Sequence, residues 1–175
     1  MAERVLVAPD KFKGSLPATE VAARLAAGLS RAGVGADVVS LPVADGGDGT
    51  VDAAVSAGYR RVQMGVRGPV GRPVTAAFAL HDGTAVIEAA QACGLSLLAP
   101  DSLAPLTATS KGVGELILAA TRMGAKQVML GLGGVATTDG GAGLVQALGA
   151  RRPEQRVVHV ARHEELDARQ VAQPV

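Results

Sequence analysis

Asp45-Gly-Gly-Asp-Gly-Thr50 (DGGDGT) lies between an apolar run, VVSLPVA, and a second run, VDAAVSA, whose spacing suits a short helix. A polar, glycine-rich segment between two core-forming runs reads as strand, loop and helix in an α/β layer. The same pattern occurs upstream. RVLVA (4–8) is a compact apolar run ended by Pro9-Asp10 and reads as a buried strand, followed by the polar loop KFKGS. Val21, Ala22, Leu25, Ala26 and Leu29 then recur at helical spacing, with Pro17 at the start and Gly33 past the end. DVVSLPV (37–43) is the second strand, and Val51 to Ala57 is the second helix, closed by Gly58. Two such units in succession predict parallel pairing through right-handed crossovers.

Beyond RRVQMGV the texture changes. GPVGRPV carries two glycines and two prolines, and VTAAFAL and TAVIEAA flank His81-Asp82-Gly83 as a hairpin turning at Asp82-Gly83. A subdomain boundary is therefore expected near Arg67. Residues 109–123 then read as a helix, QVMLGL as a strand, GGVATTDGG as a loop and AGLVQALGA as a helix. The predicted fold class is α/β: a parallel-sheet Rossmann-like domain (1–66) and a second α/β subdomain (67–150), the whole expected to be incomplete. All 23 glycines fall at or before Gly149, whereas 151–175 has none and is rich in arginine, so it reads as an atypical tail rather than a folded continuation.

Bulk composition narrows the function classes. A formal charge of +1 over 175 residues gives no global field for nucleic acid or anionic membranes, so any anion must be held locally. The single cysteine, Cys93, removes an intrachain disulfide and a multi-cysteine zinc site, and fits a reducing compartment. Neither a signal-like h-region nor a run of membrane-spanning length is present, and a cytoplasmic location is expected. With 48% hydrophobic but only 2% aromatic residues, the core must be built from small side chains on closely approaching layers.

Three loops, KFKGS, DGGDGT and GGVATTDGG, each follow a predicted strand and precede a predicted helix. Such loops lie at the carboxyl edge of a parallel sheet, where ligands bind. Their glycines could turn backbone N–H groups toward an anion, and Lys11 and Lys13 would add full positive charge. Phosphoryl transfer needs carboxylates for Mg²⁺ and for the proton of an attacking hydroxyl, which makes Asp45, Asp48 and Asp139 candidates. Each loop also has a plain reading as a turn with an N-cap. Glu88 could line a cleft, whereas Lys111 and Glu115, four residues apart, read as a solvated helix pair, and Cys93 reads as a small core residue. His159 and His163 have helical metal spacing but lack a third ligand, so a metal site there is rejected. A rival pattern, Gly131-x-Gly133-x-x-Ala136, matches a relaxed dinucleotide fingerprint and would suggest an NAD-binding enzyme.

Taken in order, APDKFKGSLPATEVA, LPVADGGDGTVDA, EAAQACGLSLL, TSKGVGELILAA and GLGGVATTDGGAGLVQALGA resemble the signature of the type 1 glycerate kinases, over Val5 to about Ala150. The resemblance implies ATP- and Mg²⁺-dependent phosphorylation of a glycerate hydroxyl between two α/β domains. The substrate would be a small molecule, with no nucleic-acid or membrane partner; the oligomeric state is left open. On this resemblance Lys13, Asp45, Asp48 and Asp139 are the expected catalytic residues, the three aspartates also being candidate metal ligands. Ser15, Gly46, Gly47, Gly49, Thr50, Gly133, Gly134, Thr137, Gly140 and Gly141 are the expected substrate- and phosphate-binding set. Two departures stand in the last motif: Val135 where the family usually has Ser, and Thr138 where it usually has Asn. Since the resemblance stops near Arg151 and family members are longer, the chain is expected to be truncated, with an inactive fragment as the alternative reading.

Overall fold

The computed structural model describes residues 3–12 and 14–150. Strands β1 (Arg4–Val7) and β2 (Asp37–Ser40) pair in parallel, with α1 (Ala18–Arg31) as the crossover between them. Gly33 stands past the end of α1 at φ 71°, as its place after the last periodic residue implied. β2 is shorter than the expected 37–43. Leu41 and Val43 still donate to Val7 and Pro9 carbonyls, at 2.9 and 3.0 Å, but Pro42 between them has no N–H to extend the ladder.

A short helix, α2 (Thr50–Ser56), leads into a second sheet. Its strands are β3 (Arg60–Arg67), β4 (Pro73–His81), β5 (Thr84–Glu88) and β6 (Gln127–Gly131), in that spatial order. β3–β4 and β4–β5 are antiparallel and β5–β6 parallel, so the molecule is a mixed α/β fold with one parallel pair and one mixed sheet. The β4–β5 hairpin turns at Asp82 and Gly83, with φ 43° and 73°, both in the left-handed region of a two-residue turn. From β5 to β6 the chain runs through α3 (Ala90–Cys93), two 3₁₀ turns and α4 (Lys111–Arg122); α5 (Ala142–Ala147) follows β6.

The boundary expected near Arg67 falls inside a hairpin, because Val66 pairs with Val74 and Arg67 with Pro73. The passage from one sheet to the other lies instead between Ser40 and Arg60, across α2.

Alternation along β4 and β5 explains why these strands read as nearly continuous apolar runs. Ala76, Phe78, Ala85 and Ile87 pack with Val113, Leu116 and Ala120 of α4, whereas Ala77, Ala79 and Val86 pack with Val51 of α2. Both faces are covered, so both residue parities are apolar. Burying Phe78, Ile87 and Leu116 completely contributes roughly 2 kcal/mol each. This core fixes the edge of the sheet on which the polar loops gather.

Candidate active site

β5 and β6 run in parallel, so the residues that end them, Glu88 and Gly131, sit on the same edge. DGGDGT meets that edge from the other layer. The Gly133 N–H donates to the Gly46 carbonyl at 2.9 Å, and Ala89 N–H donates to the Gly131 carbonyl at 2.9 Å. A Cβ on Gly131 would lie 2.5 Å from the Gly46 oxygen, and one on Gly133 2.8 Å from the Gly47 nitrogen. Only glycine permits this backbone-on-backbone approach. DGGDGT and GGVATTDGG, whose first residues are 88 positions apart in sequence, are thus one structural unit.

Among the described residues KFKGS reaches the unit through an ion pair. Lys11 Nζ lies 3.4 Å from Asp45 Oδ1, which also accepts the Gly47 N–H at 2.9 Å. Lys13 lies outside the described residues. Ser15 is exposed and its hydroxyl donates to the Phe12 carbonyl, closing its own turn. Thr50 likewise donates to the Gly47 carbonyl at 2.7 Å.

The three aspartates differ in environment. Asp48 is exposed and lines a cavity of about 200 Å³ together with Lys11, Thr19, Gly49 and Asp52. A Cβ on Gly134 would sit 3.7 Å from both Asp48 carboxylate oxygens, so this carboxylate lies over the GGVATTDGG loop. Asp139, by contrast, accepts four hydrogen bonds: Ser110 N–H at 2.9 Å and hydroxyl at 2.8 Å, Gly143 N–H at 3.1 Å and Gly141 N–H at 3.1 Å. Burial works to raise its pKa, but the donors from Ser110, Gly143 and Gly141 outweigh it and hold the carboxyl below its ordinary value. Its geometry is that of a cap, binding the start of α5 to the start of α4. Asp45 is committed to Lys11 and to its own turn. Among the described residues no group of three or more His, Cys, Asp or Glu side chains is placed to hold a metal ion. Asp45, Asp48 and Asp139 are thus not gathered in one such group.

Several amides in and beside the glycine loops are engaged in the same way. Gly47 N–H is taken by Asp45, Gly49 and Val51 N–H by Glu88, and Gly141 and Gly143 N–H by Asp139. Glu88 and Ser110 are the residues whose part the sequence left undefined. Glu88 is 1% exposed, and its Oε2 accepts from Gly49 at 3.1 Å and Val51 at 3.0 Å, while Gln91 donates to Oε1 at 3.4 Å. Burial pushes the Glu88 carboxyl up; the Val51 and Gln91 hydrogen bonds oppose this, the charge of Asp48 adds to it, and the Gly49 N–H again opposes it. The available signal was a carboxylate ending a strand otherwise apolar on both faces.

Two further expectations change. Glu115 is not half of a solvated pair with Lys111: its Oε2 accepts the Arg67 N–H at 2.7 Å, fastening α4 to the end of β3. The dinucleotide fingerprint lacks its helix, because α5 begins only at Ala142, well past Ala136. Thr137 hydrogen-bonds to Cys93, whose thiol is pushed up to about 11 by burial and by the charge of Asp139. His159 and His163 lie outside the described residues.

Comparison with known proteins agrees with the ordered motifs. The Glycerate kinase family matches residues 5–172 of the chain, a span that runs on through most of the segment set apart as a tail. A glycerate kinase of Bacillus subtilis (strain 168) is 50% identical over 151 residues, covering 85% of this chain and 40% of that protein. A glycerate 2-kinase of Escherichia coli (strain K12) is 48% identical over 152 residues, covering 85% and 40%. The fold matches a crystal structure from Salmonella typhimurium LT2 named "putative glycerate kinase 2", with TM-score 0.73 and 45% identity over 85% of this chain and 40% of that one. The chain belongs to the glycerate kinase family. It spans about 40% of the length of these relatives.

Proposed function

We propose that the chain contributes one wall of a kinase site that transfers the γ-phosphoryl group of ATP to a hydroxyl of glycerate, with Mg²⁺. The observation that carries this reading is the convergence of DGGDGT and GGVATTDGG around the exposed Asp48 carboxylate, in a chain of this family. Mg²⁺ usually keeps several waters and takes one or two carboxylates beside the substrate phosphates, so a single open carboxylate is a fitting donor. When bound, the ion would neutralise charge on the transferred group. Asp48 is the residue here that could hold it or accept the hydroxyl proton as the oxygen–phosphorus bond forms and ADP departs. Lys11, paired with Asp45, adds positive charge at the mouth of the same cavity. Asp139 shapes the site by holding α4 and α5 together.

A coupled ADP-release assay with D-glycerate tests the reading. Turnover that falls at least a hundredfold in Asp48→Ala supports it, and undiminished turnover in that variant refutes the role of Asp48. The second reading is a ligand-binding module without turnover, favoured by the prior occupation of the loop amides by Glu88, Asp45 and Asp139. Thermal stabilisation by ATP and Mg²⁺ without ADP release would select it, since binding to the folded state alone raises its melting temperature.

A further inference from the structure

We propose that Glu88 is the positioning residue of this site, fixing the direction of the Asp48 carboxylate by clamping the two amides that flank Thr50. The clamp joins separate layers. Glu88 ends β5 in the four-stranded sheet, whereas Gly49 and Val51 begin α2 on the opposite side of the loop, and both N–H groups converge on the one oxygen, Oε2. The other oxygen is held by Gln91 Nε2, and Gln91 Oε1 accepts the Ala77 N–H at 3.3 Å, so the carboxylate is braced from β4 as well.

Asp48 is bonded directly to the clamped Gly49, which sits at φ 98°. In that left-handed conformation the peptide plane ahead of Gly49 has one orientation relative to α2, and this plane carries Asp48. A carboxylate buried to 1% exposure needs compensating donors, and both donors to its Oε2 are present only while the loop is in place. The fully buried Val51 side chain next to the second clamped amide resists the same rotation from the apolar side. Among the described residues Glu88 does not itself line the cavity that Asp48 lines; it holds Gly49, which does, and acts on Asp48 through the loop as well as through the charge between the two carboxylates.

Calling Asp48 the working carboxylate rests on the kinase reading, but the clamp itself does not. The direct test is NMR on the full chain, with the Asp48 α–β proton couplings reporting its side-chain rotamer and amide exchange reporting the clamp. The wild type is expected to show one Asp48 rotamer and protected Gly49 and Val51 amides. In Glu88→Ala the couplings should average and both amides lose at least tenfold in protection, while β4–β5 amides remain protected. Glu88→Gln, which keeps an acceptor and the side-chain volume, should fold and retain the rotamer with partial protection. Ile87→Val, a packing change one residue away, lowers stability without releasing the clamp and should leave Asp48 fixed.

An Asp48 rotamer unchanged in Glu88→Ala would overturn the proposal, as would averaging of equal extent in Ile87→Val. If Glu88→Ala does not fold, Glu88→Gln decides: an averaged rotamer in the wild type, or Gly49 and Val51 amides as protected in Glu88→Gln as in the wild type, overturns the clamp. A fixed Asp48 in a protein whose phosphoryl transfer ignores Asp48→Ala would leave the clamp standing and remove the kinase role.

Discussion

Replacing Asp139 by alanine separates a structural carboxylate from a chemical one. Its four donors lose their acceptor together: the Ser110 N–H and hydroxyl, and the Gly141 and Gly143 N–H groups. Ser110 is 6% exposed and Gly143 is buried, so water replaces Asp139 poorly at three of these four donors. At about 1 kcal/mol for each donor left unsatisfied, the loss is about 3 kcal/mol. A chain of this size moves by about 2–4 °C per kcal/mol, so the melting temperature should drop by about 6–12 °C. Asp139→Asn keeps one good acceptor oxygen and should lose less, about 1–2 kcal/mol. The pH dependence has a definite sign. Since the folded-state pKa lies below the unfolded value of about 3.9, the carboxylate's contribution is full above that value and disappears as pH falls through the folded pKa. Urea unfolding at pH 7 and at decreasing pH below about 4 should therefore show the gap between wild type and Asp139→Asn closing in acid. A loss under about 1 kcal/mol for Asp139→Ala, or a gap that widens in acid, would refute the capping role.

Gly133→Ala should cost about 1–3 kcal/mol and weaken any ATP or glycerate binding, because the added Cβ meets the Gly47 backbone at 2.8 Å and wedges the two loops apart; chemical denaturation and thermal shift read this. Cys93 is 1% exposed with its thiol pushed up to about 11, so its reaction with a thiol reagent at pH 7 should follow unfolding and speed sharply in urea. Fast labelling of the native protein would contradict its burial. Lys11→Met should change stability by less than about 1 kcal/mol, since its ion pair is with the exposed Asp45 carboxylate and such solvent-screened pairs contribute little. Its effect should appear instead as weaker binding of anionic ligand, measured by titration calorimetry.

Local chemistry made most elements legible. α1 is bounded by Pro17 and Gly33, α2 is closed by Gly58, and the β4–β5 hairpin turns where Asp82-Gly83 demanded positive φ. The loop motifs were visible as glycine- and aspartate-rich breaks in apolar runs, and their order identified the family that the comparisons then matched. What escaped the sequence were contacts between distant positions. The placement of β3 beside β4 depends on an antiparallel register across a glycine- and proline-rich turn, which local composition read as a boundary. Glu115 shows a four-residue spacing from Lys111 suited to a helix pair, yet its oxygen is claimed by the Arg67 amide from another element.

The sequence by itself determined where the loops are and which residue types they offer, because turn chemistry and apolar periodicity are local properties; the family followed from the resemblance of the ordered motifs. Only the tertiary structure decided which carboxylates are already occupied. DGGDGT meets GGVATTDGG and the end of β6 through Gly46, Gly47, Gly131 and Gly133, while Asp48 stays exposed and Asp139 and Glu88 are consumed as internal acceptors. The physical reason is that a carboxylate's role depends on the donors that surround it in space. For Glu88 those donors come from residues 37 and 39 positions away in the chain.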